Sequence, residues 1–172
     1  MARYLKENRR FRVTTPLGAE ELLLTGFRGQ EEISRLFRFE LTMLSHNHAI
    51  ALDKIIGGSV TLTLVLGDGE ERCINGIAAS FAHSGGYSAG DERQETMFSQ
   101  YTATIVPKLW LLTQTSDLRI FQEKTAVDII EQILGDNGVS DYSKKLNNSY
   151  PPRTYCVQYR ETDFNFISRL ME

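Results

Sequence analysis

Apolar and polar positions alternate along most of the chain as far as Val106, and from Thr125 the period becomes helical. The clearest alternation puts Phe37, Phe39, Leu41 and Met43 on one face and Arg38, Glu40 and Thr42 on the other, the pattern of a half-buried strand. Val60, Leu62, Leu64 and Leu66 alternate with Thr61 and Thr63 in the same way. Gly67-Asp68-Gly69 then predicts a hairpin turn, because both residue types tolerate the positive φ that tight turns require. The returning strand is expected from Arg72 to about Phe81, with Cys73, Ile77, Ala79 and Phe81 on one side. Ser84 to Gln94, rich in Gly, Ser and charge, reads as an exposed loop. Met97 to Val106 is the next strand, with Tyr101, Ala103 and Ile105 facing one way and Thr102 and Thr104 the other, and Pro107 ends it. Two shorter strands, Phe11 to Thr14 and Leu22 to Phe27, flank the turn-like Pro16-Leu17-Gly18. Gly29 to Arg35 reads as a polar connector, and Leu52 to Ile56 as a single helical turn.

Six short alternating strands, with no helix between them long enough for a parallel crossover, predict an antiparallel sheet. A flat sheet of that size would expose two long edges, and closure into a small barrel removes them. The fold expected is therefore mainly β with an α/β C-terminal part. It consists of an antiparallel β-barrel of about six strands over residues 1–112, then the start of an incomplete α+β domain over 113–172. The joint is expected between Leu112 and Glu123, after the apolar knot Leu109 to Leu112 that holds Trp110. Beyond it, Ala126, Ile129, Ile130, Ile133 and Asn137 stack at helical spacing. Thr125 is the N-cap, Asp128 sits at the positive end of the dipole, and Gly138 is the stop. Tyr150-Pro151-Pro152 breaks the chain and Tyr155 to Tyr159 reads as a strand. Thr162 or Asp163 then caps a helix bearing Phe164, Ile167, Leu170 and Met171, which is still running at Glu172.

Several runs, in order, carry a family resemblance. Pro107-Lys-Leu-Trp-Leu-Leu112, Arg119-Ile-Phe-Gln122 and Val157-Gln-Tyr-Arg-Glu-Thr-Asp-Phe-Asn-Phe-Ile-Ser-Arg-Leu-Met-Glu172 resemble the VgrG family of type VI secretion spike proteins. Leu36-Phe-Arg-Phe-Glu-Leu41, Gly57-Gly-Ser-Val-Thr-Leu62 and Asn75-Gly-Ile77 fit the same family, which is itself similar to the hubs of contractile phage tails. The resemblance implies a structural hub module and not an enzyme, with no cofactor. By it, residues 1–112 are the first hub barrel and 113–172 the start of a domain inserted before a second barrel. It also implies a homotrimer of the full-length protein, docked on the hexameric tube protein (Hcp). Effectors would be carried through C-terminal parts that this sequence lacks, and the target membrane would be reached only through the missing needle.

Composition narrows the alternatives. With 41% apolar and 10% aromatic residues a packed core is affordable, and a net charge of −3 argues against nucleic acid, which needs a basic face. Arg3, Lys6, Arg9, Arg10 and Arg12 cluster at the start and read as a solvated terminal arm. No run approaches the roughly 18 apolar residues of a spanning helix. The basic start lacks the apolar stretch of a secretory signal. The expected location is thus cytoplasmic before firing, followed by export through the type VI apparatus. Cys73 and Cys156 lack paired spacing and read as free buried thiols.

The candidate chemistry is sparse. His46 and His48 could place two imidazoles on one side of an extended segment, with His83 as a third metal ligand, and this group is the only foothold for a toxin or enzyme, but a polar turn is the expected use of His46 and His48. Asp68, Glu70 and Glu71 lie at a hairpin tip, and Asp53 and Asp163 at helix starts. Ser80, Ser84 and Ser88 lack nucleophile context, and Gly85-Gly86 lacks the Lys-Ser/Thr of a phosphate loop. Trp110, Phe121, Tyr155 and Tyr159 could form a glycan- or envelope-binding set, against the plainer expectation of an apolar knot. Catalytic, cofactor and metal residues are accordingly expected to be none, and the interface residues are left open.

Overall fold

The computed structural model describes residues 9–89 and 96–172. Arg3 and Lys6 therefore lie outside the described residues, as does the part of the expected loop over residues 90–94. The chain divides into two compact units, Met1–Pro107 and Lys108–Glu172.

The first unit is one antiparallel sheet of β1 (Phe11–Thr14), β2 (Leu23–Gln30), β3 (Arg38–Ser45), β4 (Ser59–Val65), β5 (Glu71–Ala89) and β6 (Thr96–Val106). The strand order is β1-β4-β5-β6-β3-β2. The sheet curls, so its two outermost strands approach each other without a shared ladder. Phe11 of β1 meets Phe27 of β2 edge-on, with ring centroids 5.7 Å apart, and Arg9 Nη1 donates to the Leu24 carbonyl at 3.1 Å. The result is a curled six-stranded half-barrel, as the alternation predicts, closed along one line by side chains. Its interior holds Val13, Leu24, Leu41, Met43, Leu62 and Ile105, all buried. Phe81 and Tyr101 stack inside at 5.3 Å with almost parallel rings. Burying each such ring removes about 150–250 Å² from water, worth several kcal/mol at about 25 cal/mol per Å².

Four departures from the expected elements have physical causes. On β5 the buried positions are Ile74, Gly76 and Ala78, then Phe81. The ladder to β6 slips between Ala78 and Ser80, and that one extra residue reverses which face the following side chains take, as far as His83. Counting back in twos from Phe81 therefore puts Cys73 on the wrong side: it is exposed, and only Cys156 is buried. The loop expected from Ser84 is instead strand as far as Ala89. A second slip leaves Ser84 with no residue opposite, and Gly85, at φ +131°, pairs with Gln100 as the ladder continues through Gly86. β2 likewise runs on through the expected connector to Gln30. Gly29 lies opposite Phe39, whose ring fills the place where a side chain would begin, so glycine there permits pairing and does not interrupt it. Leu66, expected on the inner face, is exposed because β4 stops at Val65 and Leu66 opens the turn to Glu70.

The second unit opens with a 3-10 turn, Lys108–Thr113, followed by β7 (Ser116–Phe121), α1 (Ala126–Asp136), β8 (Cys156–Thr162) and α2 (Asp163–Met171). β7 and β8 pair antiparallel as a two-stranded sheet. The α1 cap is the one expected: Thr125 Oγ1 accepts from the Asp128 amide at 3.0 Å, and the Asp128 carboxylate accepts from the Thr125 amide at 3.1 Å. Gly138, at φ +65°, follows the helix. The core joins Leu112, Phe121, Ile129, Ile133, Phe166 and Ile167, with Phe121 and Phe166 stacked at 5.7 Å. The division between the units falls ahead of the expected joint because Leu112 packs into this core. β7 escaped the sequence reading because its alternation is weak: Leu118 and Ile120 point outward and Arg119 points inward. In α2, Phe166 is buried and Met171 exposed, so the apolar stripe is rotated from the expected one.

Candidate functional site

The densest polar arrangement is buried in the second unit and centres on Asp163, the first residue of α2, which is 3% exposed. Its Oδ1 accepts from Arg119 Nη2 and from Gln158 Nε2 (2.7 Å), and its Oδ2 from Thr115 Oγ1 and Asn137 Nδ2 (both 3.0 Å). Gln158, fully buried on the inner face of β8, also accepts from Arg119 Nε at 3.0 Å and donates to the Glu161 carbonyl at 3.1 Å. One carboxylate thus ties together β7, β8, the end of α1 and the start of α2. Burial works to raise its pKa, but the hydrogen bonds from Gln158, Asn137, Thr115 and Arg119 outweigh it and hold the carboxyl below its ordinary value of 3.8. An ionised Asp163 at a helix N-terminus with its oxygens occupied by four donors is a structural clasp, with no lone pair left to take a substrate proton. Sequence reasoning assigned Asp163 to the helix start. The missed signal is Gln158, a polar residue that shares the inward face of β8 with Cys156 and therefore needs a buried partner.

The other sequence candidates are dispersed. His46 lies against Phe98 (ring centroids 4.4 Å), His48 Nδ1 is 2.8 Å from Ser99 Oγ, and the His83 ring meets Tyr101 at 5.1 Å. All three flank β6, each on a different partner. Among the described residues no group of three or more His, Cys, Asp or Glu side chains is arranged to hold a metal ion. Asp68 Oδ1 accepts from the Glu70 amide within the hairpin turn, Glu71 pairs with Arg12, and Asp53 lies in a short 3-10 turn. Ser84 Oγ donates to the Gln100 carbonyl within the strand pair, and Ser80 lies opposite Thr104 and Ser88 opposite Met97. Arg9 and Arg12 are built into the first unit through Leu24 and Glu71, not held in a solvated arm. Among the aromatics, Phe121 is core, Trp110 is half-buried, and Tyr155 and Tyr159 are exposed.

A curled antiparallel sheet of this order, followed by a small α/β unit, is the fold of tail hub proteins. Residues 30–172 match the phage tail baseplate hub family (GPD), and the chain belongs to it. It is 44% identical over 167 residues to the type VI secretion system spike protein VgrG1b of Pseudomonas aeruginosa, covering 97% of this chain and 22% of that one. To VgrG1c of the same organism it is 44% identical over 169 residues, 98% of this chain and 22% of the relative. The chain therefore spans under a quarter of the length of these relatives. Among solved structures, it matches the Escherichia coli c3393 protein at a TM-score of 0.67 and 25% identity, over 96% of this chain and 41% of that one. That protein is a component of the type VI secretion system with structural similarity to the T4 tail proteins gp27 and gp5. Among the described residues no helix is long and apolar enough to cross a membrane.

Proposed function

We propose that this chain is the structural hub module of a type VI secretion spike. The first unit is read as the first hub barrel and Lys108 onward as the start of the domain inserted before a second barrel. The observation that carries this reading is the curled six-stranded sheet in a chain 44% identical to a VgrG spike protein along almost its whole length. The full-length protein would be a homotrimer whose hub docks on the hexameric tube protein and carries the piercing needle, with effectors held by parts beyond this segment. It would be made in the cytoplasm and leave through the apparatus itself. The chain makes and breaks no bonds. Support for that lies in the dispersal of its histidines and in Asp163, whose acceptor capacity is consumed internally.

The test uses the full-length spike. Light scattering should give a trimer, and deleting the hub segment should abolish secretion of the tube protein. A monomeric full-length protein, or secretion unaffected by the deletion, would refute the assignment.

A further inference from the structure

Arg160 is a non-glycine residue in the left-handed region, at φ +49°. Strain of this kind persists where the surrounding structure imposes it, and it clusters at functional surfaces. Here it comes from a bulge. Leu118 pairs with Tyr159 and Asp117 with Glu161, so Arg160 has no residue opposite it. The bulge leaves the guanidinium over the Tyr159 ring, 5.6 Å from its centroid. Nearby Arg119 and Arg169 are paired, with Asp163 and Glu161, whereas no described carboxylate pairs with Arg160.

Beside this cation lies the outer face of the β7–β8 sheet. Leu118, Ile120 and Tyr159 are 60%, 59% and 64% exposed, and Val157 opposite Ile120 completes the stripe. The inner face of the same strands is occupied by Arg119, Phe121, Cys156 and Gln158. Exposed aliphatic and aromatic side chains beside an arginine are the composition of interface centres, and a contiguous apolar stripe in water marks an unfilled contact. The unpaired guanidinium sets the partner's charge. At the same end of the ladder Asp117 and Glu161 are taken up by Arg119 and Arg169, so the face offers a single uncompensated cation, too little charge to hold an anionic bilayer. A polypeptide can place one carboxylate at Arg160 and apolar side chains on the stripe.

We propose that Leu118, Ile120, Tyr159 and Arg160 form a docking surface for an extended polypeptide segment that carries apolar side chains and a carboxylate. The surface lies within one chain, so its test is independent of trimer formation. The probes are a blocked peptide alternating valine with glutamate, its lysine counterpart, and phosphatidylglycerol vesicles, each titrated against the 172-residue chain at low salt. Saturable binding of the glutamate peptide is expected, weakened about tenfold or more by Arg160→Glu, with the lysine peptide becoming the better ligand of that variant. Arg160→Gly should lose affinity for the glutamate peptide yet melt higher, because glycine adopts positive φ without strain, which separates binding from folding. Binding of vesicles with no competition by the peptide would overturn the proposal. So would peptide binding indifferent to Arg160, or binding of none of the probes.

Discussion

Arg119 of β7, half-buried, and Asp163 of α2, buried, form the ion pair around which the second unit is ordered. Arg119 also reaches Asp117 at 3.2 Å and Asp136 at 3.7 Å, so one guanidinium serves a strand, a helix end and a helix start. The pair is 44 residues apart in sequence, which makes it a tertiary contact and not a local one.

Removing the Asp163 carboxylate leaves Arg119 its contacts with Asp117 and Asp136 but takes the shared acceptor from Gln158, Asn137 and Thr115. Asp163→Ala is expected to destabilise the second unit by about 1.5–3 kcal/mol, the usual cost of losing hydrogen bonds to a charged group. Urea denaturation followed through near-ultraviolet circular dichroism would measure it, and a loss under about 1 kcal/mol would show that the clasp is dispensable.

The same carboxylate predicts a pH dependence. The folded pKa of Asp163 lies below its ordinary 3.8, so its stabilising effect is complete above that value and is lost as pH falls through the lower folded value. Acid titration of stability should therefore steepen below about pH 4 in the parent chain. Asp163→Asn should remove that steepening. A variant curve parallel to the parent's would place the acid sensitivity elsewhere.

The α1 cap gives a smaller effect. Thr125→Ala should cost about 1 kcal/mol of stability, as loss of a capping hydroxyl does. The Asp128 carboxyl, held low chiefly by its side-chain and backbone hydrogen bonds from Thr125, should rise toward 3.8 in that variant. Titration by NMR would follow it directly.

Close backbone approach makes Gly76 the most sensitive point of the barrel. A Cβ there would stand 2.3 Å from the Val106 carbonyl oxygen and 3.0 Å from its carbon, and backbone cannot rotate aside. Gly76→Ala is expected to lower stability by about 1–3 kcal/mol through overpacking. A melting temperature equal to the parent's would mean that β5 and β6 separate there freely.

Tyr101 anchors the segment after β3. Its hydroxyl donates to the Asn47 carbonyl at 2.8 Å and accepts from the Ile50 amide at 3.4 Å. Tyr101→Phe should cost about 1 kcal/mol and speed hydrogen exchange at Ile50. Unchanged protection of that amide would refute the tether.

The sheet and the first helix were legible because their signals are local. Phe39, Leu41 and Met43 alternate without interruption, and Thr125 with Asp128 forms a self-contained capping box. The bulges were not legible, because an inserted residue changes nothing in composition. Ala79 gives no sign that it reverses the facing of the residues that follow it, as far as the second slip. β7 was hidden for a different reason: Leu118, Ile120 and Arg119 reverse the usual assignment of apolar in and charged out. The Asp163 clasp joins Thr115, Arg119, Asn137 and Gln158 from distant stretches, and no spacing rule links them. Only the polar residue on an inward strand position hinted at it.

The line where Phe11 meets Phe27 gives the barrel a mechanical direction. Around the rest of the hoop, neighbouring strands are stitched by main-chain bonds that must break together under tangential load. Along this line the described residues offer a ring contact and the Arg9 bond in place of a ladder, and these can yield one at a time. Outward strain would thus open the hoop like a cuff along this line before any ladder parts.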